Sequence, residues 1–144
     1  MHLALQHTQT NPSLFSRIFS LLVKIRLVTN YPHGGIVENG MLRQCNFAKG
    51  LHEVPFNPEG WHVFEVPDLV PGGAQLFETL KGTPYDSFSL LAFLLPWRVR
   101  DSSRLYCFEW AWLRMTGQTP NFRVTPEALL AIAATMNRNA VFHR

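Results

Sequence analysis

The stretch His33-Gly34-Gly35-Ile36-Val37-Glu38-Asn39-Gly40-Met41-Leu42-Arg43-Gln44-Cys45-Asn46-Phe47 decides the fold class. Asn39-Gly40 is the dipeptide that best tolerates the two left-handed residues of a type I′ turn, so its flanks read as the two strands of a hairpin. A two-residue turn also sets the register. Glu38 faces Met41, and counting outward pairs Val37 with Leu42, Ile36 with Arg43, Gly35 with Gln44, Gly34 with Cys45 and His33 with Asn46. Directly opposed residues point to the same side of a sheet, so Asn46, and Gln44 two residues back, share a face with His33 while Cys45 points away. Leu51-His52-Glu53-Val54 and the run Trp61–Val66 alternate in the strand manner. Proline and glycine at 67, 71, 72 and 73 end the strand-forming half.

On the N-terminal side, residues 1–12 read as a loose tail. Ser13 is a good cap for a helix running to about Arg26, with Leu14, Ile18, Leu21, Leu22 and Ile25 on one face. A core-facing helix is the preferred reading of that face over a membrane-surface helix. On the C-terminal side, Ala74–Lys81 reads as a short helix ended by Gly82 and Pro84, and Ser87–Leu95 as a buried helix stopped by Pro96. Ser102 or Ser103 can cap a third helix reaching Met115, and Thr125-Pro126-Glu127 opens a fourth. Strands grouped between helices predict an α+β chain, with one domain over residues 13–144.

The composition narrows the function. The chain has 144 residues, the size of one ordinary domain, and its 47% apolar share is enough for a core. A net charge of +3 is spread over scattered basic residues, with no run of like charge and no alternation of basic and aromatic residues, so nucleic-acid binding is not signalled. The apolar stretch Leu14–Ile25 is too short and too polar to span a bilayer. Nothing near Met1 has the basic start and apolar run of a signal peptide, which predicts a cytoplasmic product, with virion association as the alternative. Two cysteines, Cys45 and Cys107, make no disulfide scaffold. No glycine-rich phosphate loop and no paired spacing of metal ligands occurs, so neither a cofactor nor a metal is expected.

Cys107 lies in Arg104-Leu105-Tyr106-Cys107-Phe108-Glu109-Trp110, near the start of a helix. Unpaired N–H groups and the helix dipole at such a start favour a thiolate, and a nearby imidazole would complete a nucleophile. The same cysteine, flanked by Leu, Phe and Trp, also reads as core packing. His33 heads a strand and is followed by two glycines, which let another backbone or a substrate approach closely.

Several short motifs occur in the order seen in the YiiX-like branch of permuted papain-like enzymes, relatives of NlpC-type hydrolases. They are Tyr31-Pro32-His33-Gly34-Gly35-Ile36-Val37, Arg43-Gln44-Cys45-Asn46-Phe47, Lys49-Gly50-Leu51, Gly82-Thr83-Pro84-Tyr85-Asp86, Tyr106-Cys107-Phe108-Glu109 and Asn121–Leu129. The chain resembles that family over roughly residues 14–132. Pro32 and Phe108 stand where the family has serine. The resemblance implies a circularly permuted papain-like fold, a small antiparallel sheet against helices, with Cys107 as nucleophile and His33 as base. A polar residue on the neighbouring strand would orient the histidine, and the register above gives Asn46 that role, with Gln44 as substitute. The expected activity is hydrolysis of an amide bond, in a phage setting a peptidoglycan peptide. The alternatives are acyl transfer or ester cleavage on a lipid, and a non-enzymatic phage structural or tail-assembly protein that contacts other virion proteins.

Overall fold

A computed structural model describes residues 1–9, 12–27, 29–86 and 104–142. It is an α+β arrangement: β1 (His2–Gln6), α1 (Leu14–Leu27), β2 (His33–Glu38), β3 (Met41–Asn46), β4 (Gly50–Pro55), β5 (Trp61–Glu65), then helices α2 (Gly73–Leu80), α3 (Cys107–Thr116) and α4 (Pro126–Phe142). The five strands form one antiparallel sheet in the order β4-β3-β2-β1-β5.

The hairpin is the one its sequence specifies. Asn39 and Gly40 both adopt positive φ, and Glu38 pairs with Met41, Val37 with Leu42, Ile36 with Arg43 and Gly35 with Gln44. The first residues correct an expectation. Instead of a loose tail over 1–12, His2–Gln6 is a strand in the interior of the sheet, between β2 and β5, with Leu3, Ala4 and Leu5 fully buried. An interior strand covered on both faces reads as a short continuous apolar run, without the alternation that marks a half-buried strand.

α1 also corrects one. Ser13 Oγ accepts from the Ser16 amide as its cap (3.1 Å), as the sequence predicts. The face carrying Leu14, Ile18, Leu21, Leu22 and Ile25 nevertheless points outward, and Val23, Ser20 and the half-buried Phe19 turn inward. Periodicity locates a helix's apolar stripe but not the neighbour it meets. The expected helix over Ser87–Leu95 and its stop at Pro96 lie outside the described residues, as do the caps Ser102 and Ser103. Arg104–Tyr106 is extended, so α3 starts at Cys107 with Tyr106 as its N-cap. The start of α4 is as expected, Thr125 Oγ1 accepting from the Ala128 amide at 3.2 Å.

The two faces of the sheet differ. On one, Leu3, Leu5, Ile36, Cys45 and Leu51 pack with Phe77, Phe108, Trp110, Met115 and Leu129 of the helices. The Trp110 indole N–H donates to the Arg43 carbonyl (3.0 Å), fastening α3 to β3. On the other, Ala4, Val37 and Leu42 form a smaller cluster with Val54, Phe56 and Trp61.

An ion cluster centred on the buried Arg114 closes the helix-covered face, with Asp68 half exposed at its edge. Arg114, fully buried on α3, binds both carboxylate oxygens of Asp68 (2.9 and 2.8 Å) and pairs with Glu38, which also pairs with Arg43. Burial pulls the guanidinium pKa down, but the hydrogen bonds to Asp68 and Glu38 outweigh that and raise it. A Cβ at residue 73 would lie 2.2 Å from Arg114 Nη1, so any side chain there would push the guanidinium out of its place in the cluster.

Candidate active site

The Gly82-Thr83-Pro84-Tyr85-Asp86 element is a bracket between the sheet and α3. On one side Leu51 N–H donates to the Thr83 carbonyl (2.8 Å) and Gly82 N–H to the Leu51 carbonyl (2.8 Å). On the other, Asp86 N–H donates to the Leu105 carbonyl and Leu105 N–H to the Pro84 carbonyl, at 3.0 and 3.2 Å. The bracket thereby fixes Leu105, two residues before Cys107. Gly50 has a positive φ, and a Cβ there would sit 2.2 Å from the Thr83 oxygen, so only glycine lets the bracket close.

Cys107 is consequently the first residue of α3, set against β2 at Gly34. A Cβ on Gly34 would touch the Phe108 ring at 3.0 Å, which places that side of β2 toward the helix. The backbone N–H groups of Gly34, Phe108 and Cys107 itself favour the thiolate. Burial outweighs them, and with Glu109 nearby the thiol is pushed up to about 12. At 3% exposure, Cys107 is a protonated, covered thiol in this state. Cys45 lies on the same side of the sheet, donating to the Leu105 carbonyl at 3.2 Å, and burial raises its pKa too.

His33 points the other way. Side chains alternate along a strand, so the residue before Gly34 presents its imidazole to the opposite face. There its ring meets Trp61 edge-on, with centroids 5.9 Å apart, and its Nε2 lies 2.7 Å from Gln44 Oε1. The neighbouring-strand side chain that meets His33 is thus Gln44 and not Asn46. Asn46 ends β3, where its Oδ1 accepts from the Lys49 amide (2.9 Å) and shapes the turn into β4. Gln44 has the extra methylene needed to reach diagonally to His33.

Hydrogen-bond bookkeeping then assigns the protons. His52 Nδ1 lies 2.8 Å from the Gly50 carbonyl, which can only accept, so Nδ1 carries the hydrogen. In the neutral ring Nε2 is then an acceptor, and it lies 3.4 Å from Gln44 Nε2. That orientation turns Gln44 Oε1 to His33, whose Nε2 must donate, leaving the lone pair of His33 on Nδ1. Burial lowers the His33 pKa; the Gln44 hydrogen bond raises it and His52 lowers it further, with a net shift downward. The result is a neutral imidazole in the tautomer of a base. No hydrogen bond joins it to Cys107 among the described residues; what reaches the sulfur from β2 is the amide of Gly34, next in the chain.

The His33 face opens into a cleft of about 540 Å³ lined by Phe15, Phe19, Gln44, Asn46, Val54 and Trp61, among others. Two side chains escape sequence reading, His52 behind Gln44 and Phe15 in the cleft lining. His52 reads there as a plain strand residue, and its place beside Gln44 follows from the Gln44–His52 pairing of β3 with β4, set by the turn at 46–49. Phe15 belongs to a helix the sequence assigns to the core. No protein-family model, curated protein or solved structure matches this chain.

Proposed function

We propose that the chain is a thiol hydrolase of the permuted papain-like kind, with Cys107 as nucleophile and His33 as base. The observation that carries this reading is the Gly50–His52–Gln44–His33 hydrogen-bond chain. It leaves the Nδ1 lone pair of His33 without a hydrogen bond among the described residues, one residue from Gly34, whose amide favours the Cys107 thiolate. In the reaction the thiol proton passes to Nδ1 while sulfur bonds to the substrate carbonyl carbon. Backbone N–H groups at the start of α3 hold the oxyanion. Its collapse breaks the bond to the leaving amine, which takes the proton from the imidazolium. Water, deprotonated by the same imidazole, then cleaves the thioester. Nδ1 and Sγ lie on opposite faces of the sheet in the described state, so catalysis on this reading requires the start of β2 at His33-Gly34-Gly35 to turn the imidazole to the helix face as well as the β2–α3 edge to open.

A peptidoglycan stem peptide is the amide substrate proposed for a phage setting. A second reading, cleavage or transfer of a lipid acyl group through the same thioester, is favoured by the aromatic and aliphatic lining of the cleft. Incubation of wild type and Cys107→Ala with purified sacculi and, separately, with phospholipid vesicles, products identified by mass spectrometry, tests both. Cys107-dependent release of peptides supports the first and of fatty acid the second. No Cys107-dependent product from either overturns the enzymatic reading and leaves the assembly-protein alternative, to which the burial of Cys107 is suited.

A further inference from the structure

On α1, Leu14, Phe15, Ile18, Leu21, Leu22 and Ile25 are 45–74% exposed. At 100° per residue these positions form one continuous arc, while the inward residues Phe19, Ser20 and Val23 lie opposite. Isolated apolar residues on a surface are ordinary, but a continuous arc of six large ones on one helix is not. The arc continues past the helix to Phe47, 59% exposed and 6.0 Å from the Phe15 ring.

The charges beside the arc indicate its partner. The helix contains Arg17, Lys24 and Arg26 and no acidic residue. Arg17 and Lys24, two turns apart, lie on one flank of the apolar arc. They line a shallow cavity of about 340 Å³ with His7, Thr8, Gln9 and Ser20, and no carboxylate is among its lining residues. An apolar stripe flanked by cations, with a carboxylate-free basic hollow at its edge, has the two features of a helix lying in a membrane interface: apolar side chains enter the acyl region and cations meet headgroup phosphates.

We propose that α1 is a docking surface for an anionic lipid bilayer, apolar arc inward, with a headgroup phosphate in the hollow beside Arg17 and Lys24. The inference stands apart from the thiol chemistry and applies whether or not the chain is an enzyme. Because Phe15 belongs both to the arc and to the cleft of His33, docking brings the mouth of that cleft to the lipid surface.

The test is flotation of the full chain with vesicles of phosphatidylcholine alone and of phosphatidylcholine mixed with phosphatidylglycerol. The wild type is expected to float with the mixed vesicles and at least about tenfold more weakly with phosphatidylcholine, as salt-sensitive basic contacts require. Ile18→Asp/Leu22→Asp should abolish binding, with helicity and thermal midpoint retained because both side chains are exposed. Arg17→Gln/Lys24→Gln, which leaves the arc intact, should erase the preference for anionic vesicles, so the proposal remains testable if the first variant misfolds. Failure of the wild type to float, or equal binding to both vesicle types, overturns it. So does full displacement by millimolar inorganic phosphate, which would make free phosphate the ligand of the hollow. Concentration-dependent dimerisation abolished by Ile18→Asp would also overturn it, assigning the arc to a second copy of the chain.

Discussion

The two faces of the sheet carry the two halves of the proposed dyad under opposite physical conditions. On the helix-covered face Cys107 sits in a filled core, where burial keeps its thiol protonated despite three backbone N–H groups. On the other face His33 lines a cleft and is held by a side-chain chain that uses only its Nε2 among the described residues. One residue of strand β2 separates them, and the parity of the strand decides which face each residue sees. A helix start lowers a thiol pKa where solvent or a cation reaches the sulfur; in a packed core the desolvation term wins.

The filled face should be the costly one to disturb, and Arg114→Leu tests it hardest. Removing the guanidinium leaves buried Glu38 with Arg43 as its remaining cation, so the loss should fall near the low end of that for breaking a buried pair, about 3 kcal/mol. Chemical denaturation should show a loss of that size. A loss below about 1 kcal/mol would mean that Glu38 finds water, and that this face is far less dry than its packing indicates.

Gly34→Ala sharpens the comparison at the boundary itself. The new Cβ would meet Leu5 and Phe108 at 3.0 Å, tight enough that one of them must shift. Overpacking of this kind costs about 1–3 kcal/mol. If the unfolding free energy is unchanged, α3 does not press on β2 at the Cys107 edge, and the separation of sulfur from imidazole is looser than described.

How much of this was legible in the sequence follows from which interactions are local. Asn39-Gly40 fixes its own turn, and the turn fixes the β2–β3 register over four pairs, so the shared face of His33 and Gln44 could be counted directly. The N-cap of α1 was legible for the same reason. The strand His2–Gln6 was not, because its identity comes from two partners 27 or more residues away and its three apolar residues carry no alternation. The orientation of α1 depends on what the rest of the chain leaves uncovered. Pairing alone puts Asn46 beside His33, but its side chain accepts from a turn amide three residues on, an interaction that strand counting does not contain.

Thiol labelling reads the faces chemically. In the described state both cysteines are buried and protonated, so iodoacetamide at neutral pH should modify each at least about tenfold more slowly than free cysteine. Cys107 should still lead Cys45, because three backbone N–H groups favour its thiolate and burial raises Cys45 further. Adding sacculi or vesicles should accelerate Cys107 alone if the β2–α3 edge opens on substrate. Faster labelling of Cys45 would break the assignment of Cys107 as nucleophile.

The smallest effect is the pH dependence carried by His33, and it separates a neutral imidazole from one already paired with a thiolate. Its pKa in the fold is lowered from 6.5, first by burial, then by His52 working against the Gln44 hydrogen bond. Above pH 6.5 neither the folded nor the unfolded chain protonates this ring, and its contribution to stability is complete. As the pH falls below 6.5 the unfolded chain takes up a proton that the folded one resists, so the contribution shrinks and is lost as the pH passes the folded pKa. The stability difference between wild type and His33→Gln, measured by denaturation from pH 8 to pH 5, should therefore narrow toward acid. The same series in a His52→Gln background removes the other imidazole that faces Gln44. A difference that instead widens toward acid would require a raised His33 pKa, as in an imidazolium held by the thiolate of Cys107, and would show that the dyad is assembled before any substrate arrives.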